Sequence, residues 1–234
     1  MTSGLALVLE ALSEVYDPEL DEPITALRFV TSCELTPDGD VEILLRLPTP
    51  QCAPNFAYLM AADARDVVRR LPGVRQVAVR LEDHDTGDEI NAAIARGEGF
   101  TGAFPGETGD DGLDALRELF QRKALVARQA GLCEALLADG ATPEQVVARR
   151  VADLPDVPDA RRSVELRRQL GIRCGPGSPA FVHPNGEAVA ADEVTGWLRK
   201  ARLVRTSLDV NGGICRSLLR IRHQLAPEDE EVAR

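Results

Sequence analysis

The stretch LPTPQCAPNF, residues 47–56, decides the fold, because it joins an alternating apolar run to a long helical pattern. It therefore predicts a loop between a strand and a helix, whose three prolines restrict the backbone. Cys52 stands just before the predicted helix, where the helix dipole and the free backbone N–H groups favour a thiolate. A thiol held in this way is a candidate soft-metal ligand or nucleophile. A buried loop cysteine without a chemical role is the alternative.

Hydrophobic periodicity on both sides of this loop predicts a compact α/β unit. Residues 4–16 carry apolar side chains at helical spacing, and residues 56–71 do so again before a Pro-Gly stop. Residues 26–36 and 41–47 predict a pair of strands around a Pro-Asp-Gly turn, and residues 74–81 predict a third strand. The element order is α-β-β-α-β over about 85 residues, a normal size for a small domain.

The rest of the chain predicts a mostly helical region followed by a small C-terminal α/β appendage. Residues 113–137 follow a helical pattern in which Gly131 is a candidate break, and a capping box at Thr142 begins a further helix. The appendage is predicted to contain a hairpin at 180–189, a helix from Asp192, a strand at 203–210 and a last helix opened by Asn211-Gly212-Gly213. We therefore predict four parts: a domain at 1–90, a linker at 91–112, the helical region at 113–172, and the appendage with its acidic tail at 173–234.

The net charge of −11 is unevenly distributed. Residues 1–90 hold 17 acidic and 7 basic side chains, whereas the remainder is nearly neutral. Because an acidic domain repels the phosphate backbone, we expect no nucleic-acid partner. Residues 196–224 hold seven basic side chains against one acidic one, which predicts that this end binds an acidic partner or the first domain itself. A helix predicted near 160–170 carries an arginine-rich face that is typical of solvated surface: Arg161, Arg162, Arg167 and Arg168.

Composition also sets expectations about location. No run approaches the roughly 20 apolar residues of a membrane span, and the first residues lack the basic and hydrophobic parts of a signal peptide. We therefore expect a cytoplasmic protein with reduced cysteines and no membrane partner. The five cysteines are odd in number and widely spaced, which argues against a disulfide framework.

Two acidic segments are candidate metal sites. Asp17 and Glu19 lie in an acidic loop that is either solvated surface or a source of hard oxygen ligands. The segment Asp83-His84-Asp85 offers nitrogen and oxygen ligands. The same segment is typical of an acidic helix N-terminus, which is the interpretation that we favour.

A second soft-metal site is a further hypothesis. Cys215 follows two glycines at a predicted helix start, so that it repeats the position of Cys52. Cys174 lies in a predicted loop, and His183 lies in the predicted hairpin. The hypothesis is that Cys174, Cys215 and His183 converge on one metal ion.

Several motifs over residues 5–82 resemble, in order and at compatible spacings, the small iron–sulfur assembly domain of PaaD, SufT and the eukaryotic cytosolic targeting factor. They are Asp17-Pro18-Glu19-Leu20, Pro23-Ile24, the Asp38-Gly39 turn, Thr49-Pro50-Gln51-Cys52 and Leu71-Pro72-Gly73-Val74. The resemblance implies that Cys52 is the functional residue, with Asp17, Glu19 and Thr49 as further metal-binding or cluster-binding positions. One position departs from the family pattern, since Ala53 stands where the family has proline directly after the cysteine. We therefore expect the loop to be longer by one residue.

The resemblance implies a chaperone-like maturation factor, not an enzyme, that handles iron or an iron–sulfur cluster transiently. Because one thiol cannot hold a cluster alone, the site implies a homodimer that pools two cysteines or a client that supplies the rest. The implied partners are a client metalloenzyme and the iron–sulfur assembly machinery. Long forms of the family resemble partners of bacterial di-iron monooxygenases, which implies that class of client.

Two alternative functions remain open from the residues. One is a protein adaptor in which the cysteine is structural and the added residues form a docking surface. The other is a thiol-dependent enzyme with Cys52 or Cys215 as its nucleophile, although the sequence ties no histidine to either thiol as a base.

Overall fold

The computed structural model describes residues 2–107 and 112–222. These residues form eight α-helices and two small sheets, which confirms the predicted mixed α/β fold class. They group into two compact units, the first containing the residues up to Ala115 together with those from Asn211, and the second containing Leu116–Val210. The domain boundaries predicted at 90, 112 and 172 stay a prediction. The predicted acidic tail lies outside the described residues.

The first unit begins with helix α1 (Thr2–Leu12) and a short antiparallel hairpin of strands β1 (Tyr16–Asp17) and β2 (Glu22–Pro23). Helix α1 ends earlier than the predicted residue 16, because the chain turns there so that Tyr16 can pair with Pro23. The acidic residues that follow α1 therefore lie in a closed turn between two paired strands.

A three-stranded sheet forms the centre of the first unit. Its strands are, in sheet order, β3 (Val30–Leu35), β4 (Asp40–Arg46) and β5 (Gln76–Glu82). Strands β3 and β4 form the predicted antiparallel hairpin, whereas β5 pairs with β4 in parallel. A parallel neighbour requires a long crossover connection. Helix α2 (Pro54–Arg69) supplies it, so that the loop with Cys52 must lie where β4 ends.

Helices α3 (Gly87–Arg96) and α4 (Phe100–Ala103) complete this part of the first unit. The Tyr58 hydroxyl of α2 donates to the Glu98 carbonyl at 2.6 Å, and the Tyr58 ring lies edge-on to that of Phe100. The described part of the predicted linker is therefore packed against α2. The largest fully buried apolar side chains of this unit are Leu12, Ile24, Phe29, Ile43, Leu45, Leu47, Met60 and Ile90.

The second unit is mostly helical. Its helices are α5 (Asp114–Ala138), α6 (Pro143–Ala148), α7 (Pro158–Gln169) and the part of α8 (Val194–Arg222) up to Val210. Helix α5 continues through Gly131 without a break. A side chain at this position would place a Cβ only 3.0 Å from an Asp159 carboxylate oxygen. The glycine therefore permits a close approach of α7 and does not end a helix.

The predicted strand at 203–210 is wrong, because α8 runs through it without a break. The buried side of α8 has apolar residues at helical spacing, and this pattern outweighs the strand-like composition of the following turns. These buried residues are Val194, Trp197, Leu198 and Ala201. The predicted hairpin at 180–189 is reduced to a single bridge between Val182 and Ala188. None of the helices in residues 2–107 and 112–222 has the length and the apolar character that crossing a membrane requires.

A buried polar network holds the second unit together. Arg167, expected on a solvated face, is only 1% exposed. Its guanidinium donates to the Pro179 carbonyl at 2.7 Å, to the side-chain oxygen of Gln129 at 2.8 Å, and to the Ala180 carbonyl. The same Gln129 oxygen accepts the Val182 N–H at 2.8 Å. Because buried polar groups are costly when they lose their partners, this network fixes α5 and α7 against one loop.

We expect Arg167→Met to lower the free energy of unfolding by about 3–5 kcal/mol, because the Pro179 and Ala180 carbonyls lose their Arg167 donor and Gln129 Oε1 loses one of its two donors. Urea unfolding followed by circular dichroism measures the change. Arg168→Met on the same helix is the matched control, since the Arg168 side chain is 63% exposed, and it should change stability by no more than about 0.5 kcal/mol. Equal losses in the two variants would contradict a structural role for the network.

Candidate functional site

The loop between β4 and α2 presents Cys52. The Cys52 N–H donates to the Thr49 carbonyl at 3.4 Å, which closes a turn. Ala53 occupies the N-cap position of α2, and proline takes the first helical position, where its missing N–H costs nothing. From the segment after β5, the Asp85 N–H donates to the Pro50 carbonyl at 2.9 Å. The loop is therefore fixed by bonds to its backbone.

His84, next to Asp85 in the same segment, holds the loop at a second point. Its Nε2 donates to the Cys52 carbonyl at 2.8 Å, while its Nδ1 accepts the Thr86 N–H at 3.2 Å. Both ring nitrogens are therefore engaged in hydrogen bonds. Thr86 is the N-cap residue of α3, which confirms the helix start that we favoured for this segment. In this arrangement His84 positions the cysteine loop.

Asp17 is the last residue of β1, at the start of the acidic turn that leads to β2. Its Oδ1 accepts the N–H groups of Glu19 and Leu20 at 2.8 and 2.9 Å, and the residue is only 6% exposed. Burial raises the pKa of the Asp17 carboxyl from 3.8 to about 6, although the two backbone hydrogen bonds act in the opposite direction. At neutral pH the buried, ionised Asp17 carboxylate therefore lowers the stability of the folded state.

We expect Asp17→Asn to stabilise the protein at pH 7.5 relative to the native chain, and to have little effect at pH 4. The native carboxyl binds its proton more tightly in the folded state, so wild-type stability falls as the pH rises from about 4 to 6 and stays lower above that range. Asparagine preserves the acceptor oxygen but cannot ionise. The difference in unfolding free energy should therefore grow by up to about 3 kcal/mol. Urea titrations at the two pH values measure it.

Asp38→Asn, in the exposed β3–β4 turn, is the control for this comparison. A stability difference between Asp17→Asn and the native chain that stays the same at pH 4 and pH 7.5 would show that the Asp17 carboxyl is not held neutral by burial.

The end of α8 packs on the acidic turn of the first unit. Asn211 Nδ2 donates to Glu19 Oε1 at 3.1 Å, and Arg216 forms an ion pair with Glu22 at 2.6 Å. One of the interpretations of the basic end, that it binds the first domain, is thereby confirmed. Cys215 lies on the helix between these two contacts.

Arg222 joins the same helix to the start of the cysteine loop and to the segment after β5. It donates to the Leu47 carbonyl at 2.7 Å and to the Asp83 carbonyl at 2.6 Å, and its guanidinium lies 3.6 Å from the Asp83 carboxylate. Leu47 directly follows β4, and Asp83 directly follows β5. The helix is therefore fixed to the chain where both strands end.

The structure places two thiols in this acidic setting, Cys52 and Cys215, both half-buried and both free. Burial raises the pKa of the Cys52 thiol to about 12, with further contributions from the charges of Asp17, Cys215 and Glu19. Burial, together with the same two carboxylates, also raises the pKa of Cys215. The expectation that the helix N-terminus favours the Cys52 thiolate is thus wrong, because burial and neighbouring negative charge outweigh the helix dipole.

We expect Cys52 to react slowly with iodoacetamide in the folded apo protein. At a pKa of about 12 the thiolate fraction at pH 8 is about 10⁻⁴, and the greater nucleophilicity of a more basic thiolate recovers only part of the loss. Alkylation should therefore be about 50-fold slower than in the same chain unfolded in urea. Mass spectrometry of the Cys52 peptide over time measures both rates. Equal rates in the folded and unfolded chain would contradict the burial effect.

The residues predicted as sites fall into two groups. Cys52, Asp17, Glu19 and Thr49 all belong to the first unit, where Thr49 contributes its carbonyl to the loop turn. Cys174 and His183 belong to the second unit, while Cys215 belongs to the first, and their convergence stays a prediction. Within residues 2–107 and 112–222, no group of three or more His, Cys, Asp or Glu side chains is placed to hold a metal ion.

Sequence reasoning missed that the end of α8, which carries Cys215, contacts the acidic turn and the start of the Cys52 loop. The signal that could have found it was charge, since the basic end of the chain complements the acidic turn at 17–22. The predicted strand at 203–210 hid this relation, because it placed Cys215 in a separate appendage.

Comparisons with known proteins give a family and a relative for part of the chain. Residues 5–80 match the family model described as iron–sulfur cluster assembly protein. The chain is also 32% identical over 91 residues to an uncharacterized protein of Methanocaldococcus jannaschii, covering 39% of this chain and 94% of that protein. No solved structure matches the chain.

Residues 5–80 thus place the chain in the class of iron–sulfur cluster assembly proteins. The chain belongs to the iron–sulfur cluster assembly protein family, and its matched region ends within β5. Membership supports a general role in the assembly or maturation of iron–sulfur clusters, and an accessory role rather than catalysis.

Proposed function

We propose that this protein is a maturation factor that assists the insertion of iron or an iron–sulfur cluster into a client metalloenzyme, and that Cys52 binds this cargo transiently. The observation that supports the proposal most directly is the position of Cys52. It is a half-buried thiol, held by backbone hydrogen bonds, on a loop within the region that matches the assembly family.

The chemistry of the loop suits a carrier that binds and then releases its cargo. Thiolates are soft donors that bind iron in clusters, and a metal ion must displace the thiol proton in order to bind. Because burial raises the pKa of Cys52 to about 12, this displacement opposes binding at neutral pH and favours release. The remaining donors come from the client or from a second copy of the chain.

The client is the finer part of the proposal. The resemblance of residues 5–82 to PaaD and SufT supports a bacterial di-iron monooxygenase or a related metalloenzyme as client, with the iron–sulfur assembly machinery as donor. The second unit lies outside the residues that match the family, so we assign the selection of the client to it. We place this activity in the cytoplasm, where free thiols persist.

We expect the native protein, incubated anaerobically with iron and sulfide and then desalted, to retain iron and to show sulfur-to-iron charge-transfer absorption. Cys52→Ala should lose most of both signals, because the thiolate donor is gone. Cys33→Ala is the matched control, since Cys33 is a half-buried thiol on strand β3 of the same unit. Iron analysis and the absorption spectrum measure the outcome. Retention of iron by Cys52→Ala at the native level would overturn the proposed role of Cys52.

The same variants separate the proposal from the adaptor function. Affinity capture from cell extract, with both native protein and Cys52→Ala as bait, should recover the same client, because client binding is assigned to the second unit. If the native protein captures the client but does not retain iron, this result would favour the adaptor function. A covalent adduct between Cys52 and a small electrophile that turns over would favour the thiol-dependent enzyme.

A further inference from the structure

We propose that Cys215, supplied by the end of α8, is the second thiol ligand of the Cys52 site, so that one chain offers a two-thiol site to a soft metal ion. This inference rests on the proposed function of Cys52 and adds a ligand from outside the residues that match the family.

Helical spacing places Cys215 on the face of α8 that meets the first unit. Asn211 precedes it by four residues and contacts Glu19, whereas Arg222 follows it by seven residues and contacts the backbone beside the cysteine loop. Residues separated by four and seven positions share one face of a helix. Leu219 lies on the same face and is only 4% exposed, which confirms that this face is covered. Cys215 is therefore held between the acidic turn and the Cys52 loop.

Gly212 lies beside the ion pair that joins α8 to the acidic turn. A Cβ at this position would lie 3.3 Å from Glu22 Oε1 and 3.1 Å from the Arg216 guanidinium, which together form the ion pair beneath the helix. Glycine inside a helix is destabilising relative to alanine. The absence of a side chain at position 212 leaves room for this ion pair, and Cys215 lies on the helix three residues further on.

The same carboxylates act on both thiols. The charges of Asp17 and Glu19 contribute to the raised pKa of Cys52 and to that of Cys215, in agreement with the contacts that place the end of α8 beside the acidic turn. Both cysteines are half-buried.

Two thiols supply two of the donor atoms that a metal site requires. When a divalent ion binds, each thiol releases its proton to solvent and its sulfur forms a bond to the metal, so that two protons are released for each ion. A tetrahedral soft-metal site or a cluster takes four such donors. The site of one chain is therefore half complete and leaves two positions for the donors of a client.

Cadmium binding to the full-length protein under reducing conditions tests this inference. Cd²⁺ is the probe, because its sulfur-to-metal charge-transfer band in the ultraviolet reports thiolate bonds directly. We expect the native chain to bind one Cd²⁺, and Cys52→Ala and Cys215→Ala each to weaken binding by 100-fold or more. Cys174→Ala, which removes a half-buried thiol of the second unit, is the matched control and should bind as the native chain does.

A second measurement does not depend on the folding of the variants. X-ray absorption of the native chain loaded with one Cd²⁺ should give two sulfur neighbours. One sulfur neighbour, or native affinity in Cys215→Ala combined with loss in Cys52→Ala, overturns the inference but leaves the proposed function of Cys52 intact. No sulfur neighbour, or native affinity in both Cys52→Ala and Cys215→Ala, overturns the inference and removes the metal-binding basis of the proposed function as well.

Discussion

The parallel pairing of β4 and β5 is the constraint on which the site depends. A parallel neighbour cannot be reached by a tight turn, so the chain must leave the sheet after β4 and return through a helix. The crossover begins with the loop that contains Cys52. The residues just beyond β5 lie beside this loop, at the same end of the sheet. His84 and Asp85 are in this position and bind the loop backbone. The topology therefore determines where the thiol lies and which segment supports it.

Negative charge gives this site its chemical character. The acidic turn keeps the Asp17 carboxyl buried with a raised pKa, and its charge in turn opposes the ionisation of both neighbouring thiols. Under the proposed function, a positively charged metal ion would reverse this balance, because the carboxylates attract it and it displaces the thiol protons. The residues that keep the two thiols protonated would then also attract the cargo.

Much of the first unit could be predicted from the sequence, because its signals are local. Alternating apolar residues gave the β3–β4 hairpin, and the proline-rich stretch at 47–56 gave the strand-to-helix loop. The charge state of Cys52 could not be predicted in this way, since it depends on burial and on carboxylates that are distant in sequence. The buried position of Arg167 was missed for the same reason, because its partner Gln129 is 38 residues away.

The C-terminal part shows a different limit of sequence reasoning. Residues 203–210 have a strand-like composition, and Asn211-Gly212-Gly213 has the composition of a helix start. In the structure both lie inside α8, which is stabilised by contacts at each of its ends rather than by local preference. Tertiary contacts of this kind override propensity, and a single sequence does not display them.

The cysteine loop is held through its backbone, and this determines which substitutions it tolerates. Its supports are carbonyl groups of Leu47, Pro50 and Cys52, and every amino acid offers a carbonyl. A substitution at one of these three positions therefore leaves the acceptor of the bond in place. The resemblance of this region implies proline directly after the cysteine, and the hydrogen bonds to these carbonyls do not depend on the Ala53 side chain that stands there. By contrast, the loop loses a support when His84 or Arg222 is replaced, because the side chains of these two residues make the bonds.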